Sequence, residues 1–411
     1  MSSTTQYAIA LSRLAWHAAH FPLLYASCFC LFCKFWHEHP SSYLGIILLP
    51  SLRVLVYHLL PPPSGGVGAA SWLSVVLSLF LSLPLPYITY KRHVVGPSPV
   101  LPPSLSGRTY VITGGNAGIG RSLAALLLRR GAAVVVMCRS VQRGSDALAA
   151  IADDLAEAGD DGKRADVLAR SSVIQCDLTD FESVRLAAKS LVAKVRPSGV
   201  AAIILNAGIM TPNQSFVPGT TLDTMMAANH YGHFLLVRLL LDAWDLDSSF
   251  SNSSPLRIVS VTSSTHHMAR SGLDVADLDC RSKPYTLFGQ YSQSKLANVV
   301  FARELASRHS GSPLRSYSVH PGCVVTDVTR SLPPWLLLLY RVFPVAKAFM
   351  KPAACGCYTV AHCAASEEAG EETGLYYHNC EVGRESRWAR EEGVGEKLWR
   401  VSEEKVGIKC G

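Results

Sequence analysis

The sequence lacks any single cluster of basic residues, although its formal charge is positive. It contains 38 Lys and Arg against 31 Asp and Glu, which gives a net charge of +7 at pH 7. These basic residues are spread along the chain, whereas proteins that bind nucleic acids gather them on one face. We therefore expect no nucleic-acid partner and interpret the charge as that of an ordinary solvated surface.

The twelve cysteines lack the regular spacing of a disulfide framework. Several lie within apolar segments, as buried thiols do in a reducing compartment: Cys138, Cys176, Cys280, Cys323 and Cys363. A tighter group, Cys28, Cys30 and Cys33, has no matching His or Cys pair, so we predict no metal site. Lipidation of this group near a membrane boundary is the alternative interpretation.

The first 94 residues lack the alternation of apolar and charged positions that follows them. Residues 69–90 form an uncharged apolar run long enough to cross a bilayer, and Lys91 and Arg92 follow it directly. Residues 15–36 and 43–60 are also apolar, but the second stretch is short and interrupted, which favours a re-entrant or interfacial segment. Because no basic start or cleavage pattern indicates a signal peptide, we predict a helical membrane anchor with two or three spans or re-entrant segments. Buried helices of a soluble domain are the alternative.

The composition changes between residues 95 and 106, which are rich in Pro and Ser. Such a segment cannot continue a helix and buries little, so we predict an extended, exposed linker. It would join the membrane region, residues 1–94, to one large domain of residues 107–411. The basic residues after the last apolar run favour a cytosolic location for that domain.

Residues 109–120 join a short β-rich run, TYVIT, to a glycine-rich turn and a helical pattern. Strand, turn and helix follow one another in the order that a dinucleotide-binding fold requires. Glycines let the backbone approach a pyrophosphate, whose charge meets the free N–H groups at the helix start. We therefore predict an α/β fold with a Rossmann-type, doubly wound parallel sheet. The predicted cofactor contacts in this turn are Gly114, Asn116, Ala117, Gly118, Ile119 and Gly120.

The second predicted strand, 133–138, lacks the Asp or Glu that would follow it to bind the ribose hydroxyls of NAD. Arg139 stands there instead and could pair with a 2′-phosphate, which favours NADP(H) without excluding NAD(H). A solvated arginine is the alternative. Strands 172–176 and 200–205 also end at the carboxyl edge, where a dinucleotide lies in such folds. The residues that follow them complete the predicted cofactor site: Asp177, Asn206, Ala207 and Gly208.

Two polar residues, Tyr291 and Lys295, lie four apart in a helix predicted over 285–308, so both side chains emerge on one face. An isolated tyrosine, with a pKa of about 10, is too weak a base at neutral pH. A neighbouring ammonium favours the phenolate, so we expect Lys295 to lower the pKa of Tyr291.

Seven motifs stand in the order found in the short-chain dehydrogenases: TGGNAGIG, CDL, LNAG, NHYGHF, RIVSVTSS, YSQSK and HPGCVVTD. From about residue 108 to 406 the chain resembles this family, and within it the retinol-dehydrogenase and polyprenol-dehydrogenase-like branch. The resemblance implies that Tyr291 donates or accepts the proton of the reaction. It also implies that Lys295 activates Tyr291, and that both residues contribute to the cofactor site.

Ser263 follows a predicted strand over 257–261. At this position the family carries a hydroxyl that hydrogen-bonds the substrate oxygen, and the resemblance assigns that catalytic role to Ser263. Thr262 and Ser264 stand close enough in sequence to leave the register open.

Asn229 lies in a helix predicted over 221–247. The resemblance implies that it holds a water linked to the lysine, and the alternative is a polar residue that bends the helix. Thr326 is the family's candidate to contact the nicotinamide carboxamide. No histidine has a convincing metal-ligand spacing, and we expect a structural or substrate-lining role for four of them: His230, His233, His266 and His267.

The resemblance implies hydride transfer between a nicotinamide and a carbinol carbon, and NADPH in the cytosol would favour reduction. Residues 335–340, in the family's substrate segment, are strongly apolar. They suggest a small lipophilic substrate or a lid that touches the bilayer, with a core-packing helix as the alternative. Retinoids, long isoprenoid alcohols and aldehydes, and sterols or other lipid carbonyls stay open as substrates.

We expect this oxidoreductase to lie on endoplasmic reticulum or lipid-droplet membranes, with its catalytic domain facing the cytosol. A catalytically silent membrane scaffold that keeps the NADP(H) fold is the rival function. The oligomeric state stays open.

Overall fold

The structure is a computed structural model that describes residues 95–157, 161–195, 199–244, 246–251, 254–324, 351–370 and 372–408. The predicted membrane region 1–94, Thr326 and the apolar run 335–340 lie outside the described residues. Within the described ranges, no helix is both long and apolar enough to cross a membrane. The predicted domain boundaries stay predictions.

The described residues form one eight-stranded sheet. Its strands are β1 Thr109–Thr113, β2 Ala133–Cys138, β3 Ser171–Gln175, β4 Val200–Leu205, β5 Leu256–Val261, β6 Leu314–His320, β7 Leu375–His378 and β8 Glu381–Val382. They lie in the order β3-β2-β1-β4-β5-β6-β7-β8, and each neighbouring pair is parallel except β7 and β8. From β1 the chain adds strands on one side, β2 and then β3, and it then returns to add β4 on the other side of β1. The position between β1 and β4 is therefore the switch point where ligands bind in doubly wound folds. The predicted Rossmann-type α/β fold is confirmed.

The strands coincide closely with the apolar runs of the sequence. β1, β2 and β4 have the predicted bounds, whereas β3 lies one residue earlier and β5 includes Leu256. Val111, on the central strand, pairs with Val135 on one side and Ile203 on the other. These side chains are buried because helices cover both faces of a parallel sheet, which is why such strands are continuously apolar.

Helices cover both faces of the sheet. They are α1 Gly118–Arg129, α2 Val141–Ala156, α3 Asp161–Ala169, α4 Phe181–Lys194, α5 Thr224–Met226, α6 Gly232–Ala243, α7 Leu246–Ser249, α8 Leu287–Arg308, α9 Ala353–Gly356, α10 Tyr358–Ala365 and α11 Val394–Val406. On one face, α4, α6, α8 and α11 enclose a core that includes Phe234 and Trp399. On the other face, α1, α2 and α10 enclose a core that includes Leu127 and Val360. Full burial of each such side chain contributes about 1.5–3 kcal/mol.

The helix predicted over 221–247 is shorter and is interrupted. Asp223 caps its start by accepting a hydrogen bond from the Met226 backbone N–H at 2.9 Å. α5 then passes into one π-helical turn, Ala227–Tyr231, before α6 begins. The predicted C-terminal bound is wrong because the backbone becomes extended after α6. Asn229 lies within the π turn, a feature that is frequent at functional sites.

The helix predicted over 285–308 also begins later than predicted. Thr286 caps α8 by accepting from the Gly289 N–H at 3.1 Å, so the helix begins at Leu287. The polar stretch between α2 and β3 contains α3.

The predicted linker 95–106 is anchored rather than wholly exposed. Leu101 and Leu105 are buried in the same core as α1 and α10. The Leu105 N–H donates to the Arg130 carbonyl oxygen at 2.8 Å. Its prolines prevent a helix, as predicted, but the leucine side chains between them still enter the core. The prediction of an exposed segment is therefore wrong at these two positions.

The C-terminal segment adds β7 and β8 to the edge of the sheet and packs α11 against α6 and α8. None of the eight cysteines within the described ranges is part of a disulfide. Four of the five expected to be buried are so: Cys138, Cys176, Cys280 and Cys363. Cys323 is exposed, which corrects the expectation, because it follows the turn after β6 at the edge of the sheet.

Candidate active site

The glycine-rich turn between β1 and α1 presents backbone rather than side chains. Gly114 has a φ of +66°, a conformation that favours glycine. A Cβ on Gly120 would lie 2.5 Å from the Gly114 carbonyl oxygen and 2.6 Å from the Asn206 amide nitrogen, so no side chain fits there. α1 begins after Ala117 with no side-chain cap and no acidic residue in its first turn. Its first N–H groups are therefore suited to an anion, and the turn fits a dinucleotide pyrophosphate.

Thr113 joins this turn to the end of β4. Its hydroxyl oxygen accepts hydrogen bonds from the backbone N–H groups of Asn206 at 2.9 Å and Ala207 at 3.0 Å. The same oxygen lies 2.8 Å from His233 Nε2. His233 Nδ1 lies 3.2 Å from the Asn229 carbonyl oxygen, which can only accept, so Nδ1 carries the proton and Nε2 accepts from Thr113. The buried Thr113 hydroxyl thus fixes the backbone of the predicted cofactor contacts Asn206 and Ala207.

The ends of β2 and β3 carry the other two predicted cofactor residues. The Arg139 side chain is exposed and has no hydrogen bond or ion pair to the described residues, while its carbonyl accepts from Gln175 at 3.4 Å. The Asp177 carboxylate accepts from the Thr179 N–H at 3.0 Å and its hydroxyl at 2.8 Å, which fixes the turn after β3. Arg139 is therefore available to an added anion, whereas Asp177 is already engaged in its own turn.

The structure brings Tyr291 and Lys295 of α8 together with the ends of β4 and β5. Lys295 is buried, and its Nζ donates to the Val261 carbonyl oxygen at 3.0 Å. The same Nζ lies 5.5 Å from the centroid of the Tyr291 ring. A Cβ on Gly208 would lie 3.3 Å from Lys295 Nζ and 3.4 Å from Asn229 Oδ1, so the β4 turn passes directly over both groups. Residues predicted from three separate motifs therefore share one site.

Ser263 is the hydroxyl residue that faces Tyr291. Its hydroxyl is placed to interact with the Tyr291 phenol and acts to lower the pKa of that group. Thr262 is instead buried and donates to the Lys295 carbonyl oxygen at 2.7 Å. The Ser264 backbone N–H donates to His320 Nδ1 at 3.2 Å. Of the three positions that the sequence left open, the geometry favours Ser263.

Burial changes the acidity of both groups in this pair. It raises the pKa of Tyr291 to about 12, against which the Ser263 hydrogen bond acts. It lowers the pKa of Lys295 to about 8. We expected a lowered pKa for Tyr291, but among the protein's own groups removal from water dominates and the pKa is raised. At neutral pH the phenol keeps its proton and is ready to act as a donor.

Asn229 uses its whole side chain within the protein. Its Oδ1 accepts from the Ile209 N–H at 2.8 Å, and its Nδ2 donates to the Ile209 carbonyl at 3.1 Å and to Ser294 Oγ at 3.0 Å. Ser294 in turn donates to the Tyr291 carbonyl oxygen at 2.9 Å. Asn229 therefore holds the β4 turn against α8. Ser294 was not singled out from the sequence, although it lies inside the YSQSK motif.

The four histidines considered as ligands are not gathered around one point. His230 lies 2.9 Å from Ser402 Oγ, and burial lowers its pKa to about 4. His233 has its pKa lowered to about 3 by burial. His266 Nδ1 donates to the Ser263 carbonyl oxygen at 2.6 Å, and the His267 ring lies against the His266 ring at an interplanar angle of 38°, with centroids 4.0 Å apart. Among the described residues no group of His, Cys, Asp or Glu is arranged to hold a metal ion. His230, His233 and His266 are thus engaged in contacts within the protein.

A dinucleotide turn beside a Tyr, Lys and Ser group defines a class of enzymes that transfer hydride to and from an alcohol carbon. The family model for short chain dehydrogenases matches residues 108–275. Retinol dehydrogenase 12 from Bos taurus is 38% identical over 307 residues, which cover 74% of this chain and 88% of the relative. Human dehydrogenase/reductase SDR family member 13 is 32% identical over 375 residues, which cover 90% and 82%. The chain belongs to the short-chain dehydrogenase family, in its retinol-dehydrogenase-like branch.

Solved structures agree on the fold. An uncharacterised protein from Mycobacterium paratuberculosis matches with a TM-score of 0.54 and 30% identity, covering 75% of this chain and 97% of the other. A protein from Beutenbergia cavernae, assigned as an NAD(P)-dependent gluconate 5-dehydrogenase and solved with NADP at low occupancy, matches with a TM-score of 0.50. Its identity is 24%, with coverage of 68% and 97%, so it supports the fold alone. By its family the protein is an oxidoreductase that acts on CH–OH groups.

Proposed function

We propose that this enzyme uses NADP(H) to interconvert a lipophilic alcohol and its aldehyde or ketone at a membrane, with a retinoid or a long isoprenoid of the polyprenol type as substrate. The single observation that carries the proposal is the convergence of Tyr291, Ser263, Lys295 and Asn229 beside the glycine-rich turn. A protein that only bound a dinucleotide would have no chemical need for this group, which argues against a silent scaffold.

In the reducing direction, Ser263 and Tyr291 would both donate hydrogen bonds to the substrate carbonyl oxygen. Burial keeps Tyr291 protonated, so it can deliver its proton as negative charge develops on that oxygen. The Lys295 ammonium, held by the Val261 carbonyl, stabilises the phenolate that remains. Asn229 keeps the β4 turn and α8 in register. The bound nicotinamide supplies or accepts the hydride.

The cofactor preference rests on the end of β2. An acidic residue at this position would repel a 2′-phosphate, whereas the exposed Arg139 guanidinium can pair with it. Asp177, Asn206, Ala207 and Gly208 would contact the rest of the dinucleotide from the same edge of the sheet. We keep Thr326 as the proposed contact of the nicotinamide carboxamide.

The substrate class rests on the family branch and on the sequence outside the described residues. Two of the relatives are retinol dehydrogenases by name, from Bos taurus and Homo sapiens. The apolar runs within 1–94 and at 335–340 are consistent with a membrane-bound enzyme that takes its substrate from the bilayer. We propose endoplasmic reticulum or lipid-droplet membranes as its location, with the catalytic domain in the cytosol.

The test is NADPH consumption by the detergent-solubilised full-length protein with retinal, a polyprenal and a sterol ketone. Tyr291→Phe should reduce turnover by a factor of about 1,000 or more while NADPH binding persists, because only the proton donor is lost. Tyr358→Phe, which removes a hydroxyl on α10, is the matched control and should keep full activity. Consumption of none of these carbonyls, or equal activity of Tyr291→Phe, would contradict the proposal.

Arg139→Asp tests the cofactor part separately. We expect the ratio of kcat/KM for NADPH to that for NADH to fall by a factor of about 100, because a charge-assisted contact becomes a repulsion. Arg129→Asp makes the same change of charge at the C-terminal end of α1, whereas the glycine-rich turn adjoins the N-terminal end of that helix. This variant should leave the ratio unchanged. An unchanged ratio in Arg139→Asp would show that Arg139 is a solvated residue.

A further inference from the structure

Asp223 is a fully buried carboxyl group that the reaction does not use. Its Oδ1 accepts hydrogen bonds from the Met226 N–H at 2.9 Å and from Gln290 Nε2 at 3.0 Å. Its other oxygen, Oδ2, is buried without a hydrogen-bond partner among the described residues. An ionised carboxylate with one bare oxygen in the core would be costly, since burial of an unsatisfied charged group is penalised strongly.

Gln290 shows the complementary deficiency. Its Nε2 donates both hydrogens, one to Asp223 Oδ1 and one to the Leu278 carbonyl oxygen at 2.8 Å. The opposite amide orientation is excluded because it would place an acceptor against two acceptors. Nε2 is therefore the atom that faces both acceptors. The other amide atom, Gln290 Oε1, is also buried without a partner among the described residues. One hydrogen on Asp223 Oδ2 would supply the donor that this oxygen lacks.

A second carboxyl group, Asp279, explains where negative charge resides. Its Oδ2 accepts from Lys405 Nζ at 2.6 Å and its Oδ1 accepts from the Asp223 backbone N–H at 3.0 Å. Two neighbouring buried carboxyls do not both ionise readily, and the one with the ammonium keeps the charge. Asp223 has no such counter-ion, and burial, followed by the charge of Asp279, raises its pKa.

We propose that Asp223 is a neutral carboxylic acid in the working enzyme, that it shares its proton with the Gln290 amide oxygen, and that this acid–amide pair is a positioning device for the active site. Gln290 immediately precedes Tyr291, and Asp223 caps the helix that leads into the π turn of Asn229. Two parallel hydrogen bonds between an acid and a primary amide fix both distance and orientation. The pair therefore sets the start of α8 against the π turn.

The groups around Asp223 favour retention of its proton. Four titratable groups interact with Asp223 directly: Asp279, Cys280, Tyr285 and Tyr231. Beyond them, Asp277 lies near Cys280, and Lys405 on α11 pairs with Asp279. Only Lys405 among them is cationic at neutral pH, and Asp279 already neutralises it. Ionisation of Asp223 at high pH would break the bond to Gln290 and loosen the position of Tyr291.

The primary test is isotope-edited infrared spectroscopy of the full-length protein with labelled aspartate at pH 7. We expect the C=O band of a protonated carboxyl in the parent, its loss in Asp223→Asn, and its retention in Asp277→Asn. Asp277 is a suitable control because hydrogen bonds from Ser282 lower its pKa and keep it ionised. If Asp223→Asn removes no such band, the proposal is overturned. This measurement does not depend on substrate or cofactor, so its failure is distinct from failure of the proposed function.

Kinetics test the positioning role. Asparagine reproduces the donor and acceptor pattern of a neutral acid, so Asp223→Asn should keep kcat within about a factor of two. Asp223→Ala should lower kcat by a factor of about 10 to 100 with KM for the cofactor unchanged, because only α8 and the π turn shift. If Asp223→Ala does not fold, Gln290→Met gives the same test from the other partner. Equal kcat values for the parent, Asp223→Ala and Gln290→Met, or a loss in Asp223→Asn as large as in Asp223→Ala, would refute the role.

Discussion

The nucleotide half of the sheet, β1 to β3 with α1 and α2, and the catalytic half, β4 to β6 with α6, α8 and α11, build their sites from different groups. The nucleotide half offers backbone N–H groups, and its α1–α2 ion pair, Arg121 with Asp154, is solvent-exposed. The catalytic half buries its polar side chains, including Asn229, Lys295 and Asp223. The first half therefore depends on chain geometry, and the second depends on hydrogen bonds between buried side chains in a low dielectric.

The largest expected effect comes from disturbing backbone geometry in the nucleotide half. Gly120→Val should weaken NADPH binding by a factor of about 1,000, because its side chain would enter the space beside the Gly114 carbonyl and displace the turn. Fluorescence titration of NADPH measures this directly. Gly199→Val is the matched control, since a Cβ there meets nothing within 4 Å. Tight NADPH binding by Gly120→Val would show that the turn does not bind the pyrophosphate.

The next effect tests the joint between the two halves. Thr113→Val keeps the side-chain shape but removes the hydroxyl that serves Asn206, Ala207 and His233. Leaving these buried groups unpaired should lower the free energy of unfolding by about 3 kcal/mol. Urea denaturation measures the loss, and Thr113→Ser, which keeps the hydroxyl, should recover most of it. A loss below about 0.5 kcal/mol would mean that the two halves are joined elsewhere.

The same contrast explains what sequence alone could predict. Strand bounds and the glycine turn follow from local patterns, so β1, β2 and β4 were predicted with their bounds. The proposed catalytic residues were found because family motifs carry them. Ser294 meets Asn229, 65 residues away, and Gln290 meets Asp223, 67 residues away, only through tertiary packing. The burial of Leu101 and Leu105 in the linker was missed for the same reason. Pro and Ser content predicts the backbone conformation but not which side chains pack into the core.

A moderate effect concerns the buried ammonium of the catalytic half. Burial lowers the pKa of Lys295 to about 8, so the charged form is lost as pH rises through about 8. Reduction needs that charge, so kcat/KM should fall about tenfold per pH unit above this value. A pH profile of carbonyl reduction measures it. Tyr291, with a pKa of about 12, stays protonated over the same range and does not contribute. A flat profile to pH 10 would contradict the assigned role.

Stability gives an independent check on the same group. Because the folded pKa of Lys295 lies below the unfolded value of 10.5, the unfolded chain binds more protons between about pH 8 and 10.5. The buried charge therefore destabilises the fold below pH 8, and this cost disappears as pH rises. Lys295→Met should be inactive yet more stable than the parent by about 1–3 kcal/mol at pH 7, and the difference should shrink above pH 8.

The smallest effect is expected at an exposed ion pair of the nucleotide half, which we compare with a buried ion pair of the catalytic half. Asp154 lies 3.4 Å from Arg121, and the two side chains are 71% and 43% exposed, so Asp154→Asn should change the free energy of unfolding by less than about 0.5 kcal/mol. Glu403 is buried, where it accepts from Arg238 and from Trp399 Nε1. Glu403→Gln should therefore cost about 2 kcal/mol, since the half-buried Arg238 would keep only the more distant and exposed Asp242, at 3.9 Å, as a counter-ion. Equal effects of the two substitutions would show that burial does not distinguish the halves.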